Sequence, residues 1–193
     1  GQAPPLALAG RGQELLIGST DALARRIKVG EIEIRICWPP LRSPAEQAAH
    51  EVARRKAHAV ARLAGGALVL GADTVVAVGG EILGKPADRE DAISILSRLS
   101  GTRHAVVTGV CLLDTATGRQ ACDSVATWVT MRRMSRQEIE AYVDSGEAYG
   151  KAGAYAIQET ADRYVERVDG SFSNVVGLPM ERVREMLADF GTL

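Results

Sequence analysis

The stretch Leu68–Pro86 limits the fold more than any other part of the sequence, because two apolar runs are separated by an acidic residue and a glycine turn. Ala67–Gly71 is almost entirely apolar, which is typical of a central strand that is covered on both faces. Asp73 follows this strand, and Lys85 lies just beyond the Gly79-Gly80 turn. A carboxylate and a lysine in this arrangement can hold a phosphate and activate water, although Asp73 is equally typical of a structural turn or cap.

Several segments show helix-start signals followed by an apolar stripe. Ser43–Glu46 and Ser135–Glu138 are capping boxes, in which a serine and a glutamate satisfy backbone amides of the first helical turn. Asp88 is the expected N-cap of a further helix. The predicted helices run from residue 44 to about 63, from 88 to about 100, from 135 to about 145 and from 180 to about 190, and another is expected to start at residues 13–16.

Other segments have strand patterns. In Glu31–Cys37, isoleucines alternate with charged residues, which predicts a half-buried strand. Arg103–Leu113 and Ala121–Met131 flank a polar turn and are expected to form a long antiparallel pair. Shorter strands are predicted at residues 6–9, 74–78 and 164–168, and residues 171–179 are predicted to be a loop. Because helices and strands are interspersed, the pattern favours an α/β or α+β fold with a mixed sheet.

Composition argues against several classes of protein. The 193 residues are 46% hydrophobic with a formal net charge of −1, which favours a single domain over residues 1–193 and gives no basic surface for nucleic acid. Cys37, Cys111 and Cys122 form no CxxC pair, so we expect three isolated, buried cysteines in a reducing compartment. No signal peptide or membrane-spanning run is recognised, so we expect a soluble cytoplasmic protein with no membrane partner.

A series of motifs resembles the Maf family of nucleoside triphosphate pyrophosphatases. It begins at GADTVVAVGGEILGKPADREDAISILSRLSG and continues through HAVVTGVCLL, SRQEIEAYVDSGE, KAGAYAIQ and GSFSNVVGLP, over roughly residues 52–180. The resemblance implies an α/β fold like that of inosine triphosphate pyrophosphatases, with a mixed elongated sheet, flanking helices and two lobes around a cleft. It also implies a homodimer that converts a nucleoside triphosphate and water to a nucleoside monophosphate and pyrophosphate, assisted by a divalent metal ion such as Mg²⁺ or Mn²⁺.

The same resemblance implies roles for individual residues. Asp73 matches the family's proposed catalytic acid, and such a carboxylate can serve as general base or as metal ligand. Thr74 and Gln158 match positions tied to base preference, and they resemble the branch that acts on dTTP and UTP rather than the branch that acts on 7-methyl-GTP. Lys56 and Lys85 match lysines that face the phosphates.

The beginning of the chain departs from the family pattern. The family has a Ser-x-Ser-Pro-Arg-Arg loop that grips the triphosphate, whereas residues 7–12 read Ala-Leu-Ala-Gly-Arg-Gly, in which only Arg11 matches. No acid stands near Pro40-Leu41-Arg42, Arg55 replaces a glutamate, and Gly150 replaces an aspartate. Arg11 between two glycines is a candidate phosphate ligand, with a plain flexible loop as the alternative.

These observations leave three hypotheses for function. The chain is an active pyrophosphatase, or a catalytically impaired descendant that binds nucleotides or regulates, or a structural dimer module. The altered first loop motivates the second, because the loss of phosphate donors weakens transition-state stabilisation. The Gly-Ala-Asp-Thr and Gly-Lys-Pro motifs argue against the third hypothesis, and the pattern as a whole favours the first.

Overall fold

The structure is a computed structural model. It describes three short strands near the start of the chain, residues 43–158 and residues 160–192. The chain divides into two compact units, Gly1–Ser43 and Pro44–Leu193. Within the first unit the described strands form one sheet, and they are β1 (Leu15–Ile17), β2 (Arg25–Val29) and β3 (Ile32–Ile36). Strand β3 lies between the other two, parallel to β1 and antiparallel to β2.

Three of the sequence predictions fall in this first unit. The alternating strand predicted at Glu31–Cys37 is confirmed as Ile32–Ile36. The helix expected to start at residues 13–16 is wrong, because Leu15–Ile17 is a strand that pairs with Ile34–Ile36. A short apolar run is compatible with either element, and here pairing with a strand distant in sequence decides the outcome. The strand predicted at residues 6–9 lies outside the described residues.

The second unit is built on a five-stranded antiparallel sheet with the strand order β5-β4-β6-β7-β8. The strands are β4 (Leu68–Val78), β5 (Glu81–Leu83), β6 (Arg103–Asp114), β7 (Gln120–Met131) and β8 (Val165–Asp169). The long antiparallel pair predicted from the sequence is confirmed by β6 and β7.

The central strand is β6, not the segment expected from its apolar sequence. Nine of the twelve residues of β6 are buried, whereas Leu70 in β4 is 40% exposed. The expectation that residues 67–71 are covered on both faces is therefore wrong. Among the described strands, only the short β5 flanks β4 on that side, at Val76–Val78, so the earlier part of β4 lies at the edge of the sheet rather than at its centre.

Helix α1 (Pro44–Ala61) packs very closely on one face of this sheet. A Cβ atom at Gly109 in β6 would lie 2.2 Å from the carbonyl oxygen of Ala49, and one at Gly71 in β4 would lie 2.3 Å from that of Ala53. The two glycines therefore let the helix backbone lie directly against the strands, and this contact fixes the height and rotation of α1 over the sheet.

The remaining helices cover the opposite face. They are α2 (Arg89–Leu99), α3 (Arg136–Asp144), α4 (Phe172–Val176) and α5 (Met180–Asp189). Asp88 caps α2 and the predicted capping box begins α3, so both start signals are confirmed. The loop predicted at residues 171–179 is wrong in part, since it contains α4, which begins because the Ser171 side chain accepts from the backbone amide of Asn174.

The fold is α/β with flanking helices, as the sequence predicted, and parallel pairing among the described strands is confined to β1 and β3. Cys111 and Cys122 face each other across β6 and β7 and form a disulfide, so the expectation of isolated cysteines is wrong for this pair, while Cys111 is fully buried as expected. Cys37 lies outside the described residues. No helix in the described part of the chain is both long and apolar enough to span a bilayer.

Candidate functional site

A pocket of about 380 Å³ opens beside the middle of β4. Its walls come from α1, β4, the loop after β5, residues 150–158 and the end of α4. Among the described residues, the charged side chains that line it are three lysines and one aspartate, namely Lys56, Lys85, Lys151 and Asp73. This excess of positive charge favours a ligand that carries several negative charges.

One wall of the pocket joins α1 to β4 through an ion pair. Lys56 Nζ lies 2.7 Å from Asp73 Oδ1, and it also donates to the carbonyl oxygen of Ala72 at 3.0 Å. The close packing of α1 on Gly71, two residues before Asp73, brings Lys56 over the strand. Among the described residues, Lys56 is the one side-chain donor that bonds this carboxylate, so Oδ2 can accept from a water molecule or bind a cation.

Thr74 lies on the opposite face of β4, because consecutive side chains of a strand point to opposite faces. Its hydroxyl oxygen lies 2.8 Å from that of Thr108, which is its direct partner in β6. Thr108 is fully buried and donates to the backbone carbonyl of Asn174 at 3.1 Å. Thr74 therefore stands at the pocket end of a buried polar network that leads to α4.

Asp73 and Thr74 line the same pocket although they lie on different faces of the sheet. Strand β5 begins to pair with β4 only at Val76, so within the described part of the chain no strand flanks Asp73 and Thr74 on that side. Both faces of β4 are accessible from this edge. A single ligand that lies across the edge would meet the Lys56–Asp73 pair on one face and Thr74 on the other.

Two loops complete the pocket and touch each other beside β4. The amide of Gly153 donates to the carbonyl oxygen of Gly84 at 3.1 Å, which ties residues 150–158 to the loop that contains Lys85. Gly153 has a φ of 72°, and a Cβ atom there would lie 2.9 Å from the Val76 side chain, so only glycine fits this contact. Lys85 and Gln158, both exposed, lie on these two loops and line the pocket.

Lys151 also lines the pocket, and its sequence pattern alone predicted no role for it. Its ammonium donates to the carbonyl oxygen of Glu147 at 2.7 Å, which anchors the side chain at the pocket wall. The available signal was its place in the Lys-Ala-Gly motif, beside the glycines that let residues 150–158 approach β4.

A buried neutral pair supports residues 150–158 from behind. His104 Nε2 and Tyr155 Oη lie 2.7 Å apart and share a hydrogen bond. Burial lowers the pKa of His104 to about 4 and raises the pKa of Tyr155, so both groups are uncharged at neutral pH. This pair fixes Tyr155, which lines the pocket three residues before Gln158.

The described residues contain no cluster of three or more histidine, cysteine, aspartate or glutamate side chains that could hold a metal ion alone. Mg²⁺ is often held by one or two carboxylates together with phosphate oxygens of the substrate rather than by a complete protein cage. Asp73 lines a pocket suited to phosphates and its Oδ2 has no side-chain donor among the described residues, so it fits this mode of binding.

Five of the six site residues suggested by the sequence line the pocket, and they are Lys56, Asp73, Thr74, Lys85 and Gln158. Arg11 and the segment Pro40–Arg42 lie outside the described residues. Thr108 and Asn174 were not anticipated, because a buried contact between residues distant in sequence leaves no local pattern.

Comparison with known proteins gives one consistent result. Residues 14–190 match the family model described as Maf-like protein. A dTTP/UTP pyrophosphatase from Syntrophomonas wolfei subsp. wolfei is 46% identical over 182 residues, which cover 94% of each chain. The dTTP/UTP pyrophosphatase of Pelotomaculum thermopropionicum is 46% identical, and the match covers 77% of this chain and 78% of that protein. The dTTP/UTP pyrophosphatase of Geobacter metallireducens is 47% identical, and the match covers 74% of each chain. The matched range contains every pocket residue named above, and the chain belongs to the Maf family.

Proposed function

We propose that the chain is a nucleoside triphosphate pyrophosphatase that acts on dTTP and UTP. It consumes one water molecule, cleaves the bond between the α- and β-phosphates, and releases a nucleoside monophosphate and pyrophosphate. The pocket at the edge of β4 supports this most directly, because its described lining contains three lysines and one carboxylate. Relatives that are named dTTP/UTP pyrophosphatases support the choice of nucleotide.

The chemistry is assigned to the α1 face of β4. Phosphoryl transfer depends mainly on positioning and charge stabilisation, so Lys56 and Lys85 are proposed to bind phosphate oxygens, with Arg11 as a further ligand. Asp73 Oδ2 accepts the proton of the attacking water, whose oxygen bonds to phosphorus while the bridging oxygen leaves with the other product. Thr74 and Gln158 are proposed to contact the base.

A divalent cation, Mg²⁺ or Mn²⁺, is proposed as the cofactor. Asp73 is the residue that would hold it together with the phosphates, and the ion would neutralise negative charge on the substrate. The two roles of Asp73 can be separated with the Asp73→Asn variant. Excess Mn²⁺ should partly restore its activity if the carboxylate acts chiefly as a metal ligand, and should not if it acts as the base.

The test of the proposal is pyrophosphate release from a panel of nucleoside triphosphates with Mg²⁺ or Mn²⁺. We expect dTTP and UTP to be preferred, and Asp73→Asn to lower kcat by about 10²–10⁴-fold, which is the usual contribution of a general base. Asp144→Asn is the matched control, since Asp144 also pairs with a cation, Arg89, but lies outside the pocket. Failure of every nucleotide in the panel to yield pyrophosphate would contradict the proposal.

A nucleotide-binding protein without turnover is the second candidate, favoured by the altered loop at residues 7–12. A ligand that binds only the folded state raises its stability. Thermal stabilisation by dTTP or UTP in the absence of pyrophosphate release would therefore support this candidate. Absence of both stabilisation and turnover would contradict both functions.

We further propose that residues 1–193 act as one domain, that the protein is a homodimer, and that neither nucleic acid nor membrane is a partner. The family match that runs through residues 14–190 supports the first point, and the resemblance to the family supports the second. We place the protein in the cytoplasm, where nucleoside triphosphates are made. Light scattering of the purified protein tests the dimer.

A further inference from the structure

The face of the pocket that contains Thr74 leads into a chain of hydrogen bonds whose direction is fixed. Thr108 Oγ1 lies 3.1 Å from the Asn174 carbonyl oxygen and 2.8 Å from Thr74 Oγ1. A carbonyl can only accept, so the single hydroxyl proton of Thr108 is donated there. Thr74 must then be the donor to Thr108. If Thr108 donated to Thr74 instead, it would have no proton left for the Asn174 carbonyl, and only one of the two hydrogen bonds would form. The arrangement that forms both bonds is favoured because these groups are buried.

The far end of this chain is anchored firmly. The side-chain amide of Asn174 donates to the carbonyl oxygen of Val106 and to Thr127 Oγ1, both at 3.0 Å. Since the group on Val106 is a carbonyl, the nitrogen rather than the oxygen of the amide must face it. Asn174, Thr108 and Thr127 are all fully buried. The carbonyl that receives the Thr108 proton is therefore held in place.

The near end of the chain is open to a ligand. Thr74 is half-buried and lines the pocket. Gly177, which also lines the pocket, has a φ of 118°, and a Cβ atom there would lie 3.4 Å from Thr74 Oγ1. The glycine thus leaves the space beside this oxygen free. Because the Thr74 proton points to Thr108, the oxygen presents only lone pairs to the pocket.

We propose that Thr108 and Asn174 are positioning residues for base specificity, which hold Thr74 as a hydrogen-bond acceptor for an N–H group of the base. This inference rests on the proposed function. Uracil and thymine carry a proton on N3, whereas N3 of cytosine is itself an acceptor. An acceptor on the protein opposite an acceptor on the base leaves both without a proton, so cytosine is rejected. The 5-methyl group of thymine does not alter N3, so dTTP and UTP are both accepted.

The test compares kcat/KM for UTP with kcat/KM for CTP in three variants. Thr108→Val keeps the shape of the side chain but removes the acceptor, so the Thr74 hydroxyl can rotate and donate to cytosine. We expect the ratio of UTP to CTP to fall about tenfold or more, on the general scale of one mismatched buried hydrogen bond. Thr108→Ser keeps the hydroxyl and should keep the wild-type ratio.

Thr127→Val is the structural control. It removes one of the two bonds of the Asn174 side-chain amide but leaves the bond to the Val106 carbonyl, and it leaves the path from Thr74 through Thr108 to the Asn174 carbonyl. Stability should therefore fall while the ratio is kept. An unchanged ratio in a folded Thr108→Val variant would overturn the inference. An equal fall of the ratio in Thr127→Val would also overturn it, because general loosening would then be the cause.

Two further measurements keep the inference testable if a variant or the wild type fails. If Thr108→Val does not fold, wild-type kcat/KM is compared for N3-methyluridine and 5-methyluridine triphosphates. We expect the N3-methyl compound to be used at least tenfold less well, and equal use would overturn the inference. If the wild type releases no pyrophosphate from UTP or dTTP, the proposed function is contradicted. In that case the affinities of the wild type for UMP and CMP are measured by calorimetry, and we expect UMP to bind more tightly. Equal affinities would overturn the inference.

Discussion

The two faces of β4 hold their functional groups in opposite ways. On the α1 face, Lys56 and Asp73 form an ion pair whose side chains are 53% and 22% exposed. On the other face, Thr74 is bonded into a network whose inner members, Thr108 and Asn174, have no exposed surface. Charged groups are therefore partly exposed to solvent on the α1 face, whereas on the other face the direction of the hydrogen bonds is set by buried residues.

On the α1 face, the proposed functional residues contribute little to stability. On the Thr74 face, the same residues contribute to both function and stability. An exposed ion pair contributes little to folding, typically below about 1 kcal/mol, so its members can be changed without unfolding the protein. A buried polar group that loses its partner costs about 1–3 kcal/mol. The α1 face can thus exchange its partners when a charged ligand binds, whereas the Thr74 face keeps one arrangement.

The largest expected effect on stability comes from displacing α1 itself. Gly109→Ala would place a Cβ atom 2.2 Å from the carbonyl oxygen of Ala49, and backbone atoms of a packed helix cannot move aside without cost. We expect a loss of about 3 kcal/mol in the free energy of unfolding, at the upper end of usual overpacking costs. Activity should fall as well, because Lys56 moves with the helix. Urea denaturation measures the first effect and pyrophosphate release the second.

Gly65→Ala is the control for this prediction. Gly65 lies just after α1, where a Cβ atom would meet nothing within 4 Å. Its free energy of unfolding should stay within about 0.5 kcal/mol of the wild type. Equal stability of the two variants would show that α1 is not pressed against β6 as closely as the structure indicates.

The next effect is functional rather than structural. Lys56→Met removes the charge but keeps most of the stem, so we expect kcat/KM for the preferred nucleotide to fall about 10–100-fold while the unfolding free energy changes by less than about 1 kcal/mol. Arg55→Met is the matched control, because Arg55 is the adjacent cation on α1 and pairs with Glu51 outside the pocket. A similar loss of activity in both variants would mean that overall charge, not the position of Lys56, matters.

How well the sequence predicted the two faces also differs. The members of the Asp73 side were suggested by the resemblance to the family, in which Asp73 and Lys85 lie in the quoted motifs and Lys56 matches a lysine of the preceding helix. The Thr74 side was predictable only at Thr74 itself. Its partners, Thr108 and Asn174, come from segments separated from it by many residues, and their burial results from the register of β4 against β6 and from the capping of α4.

The fold was likewise predictable where contacts are local in sequence and not where they are distant. Helix starts with side-chain caps, such as Asp88 and Ser135, were predicted correctly because their hydrogen bonds are local. The identity of the central strand was not, since an apolar run such as residues 67–71 does not reveal how long its neighbour is. The prediction of a helix start at residues 13–16 was wrong for a related reason, because the strand Leu15–Ile17 forms by pairing with β3, which is distant in sequence.

The smallest expected effect concerns His104, which lies on the Thr74 face and ties Tyr155 to β6. The pKa of His104 falls from 6.5 to about 4 on folding because the ring is buried. The unfolded state therefore binds more protons between these values, and the free energy of unfolding decreases as the pH is lowered through this window. We expect a loss of about 2 kcal/mol between pH 7 and pH 5 from this group, by urea denaturation at each pH.

Other shifted groups do not obscure this window. Hydrogen bonds from Arg54 and Arg132 lower the pKa values of Glu51 and Glu138 to about 2, and the pKa of Tyr155 is raised, so none of these three titrates between pH 5 and pH 7. His104→Gln should flatten the dependence of stability on pH if it folds. In the wild type, the NMR titration of the His104 ring should have its midpoint near the lowered pKa. A midpoint near 6.5 would show that the ring is solvated, and that the Thr74 face is less rigid than its buried contacts indicate.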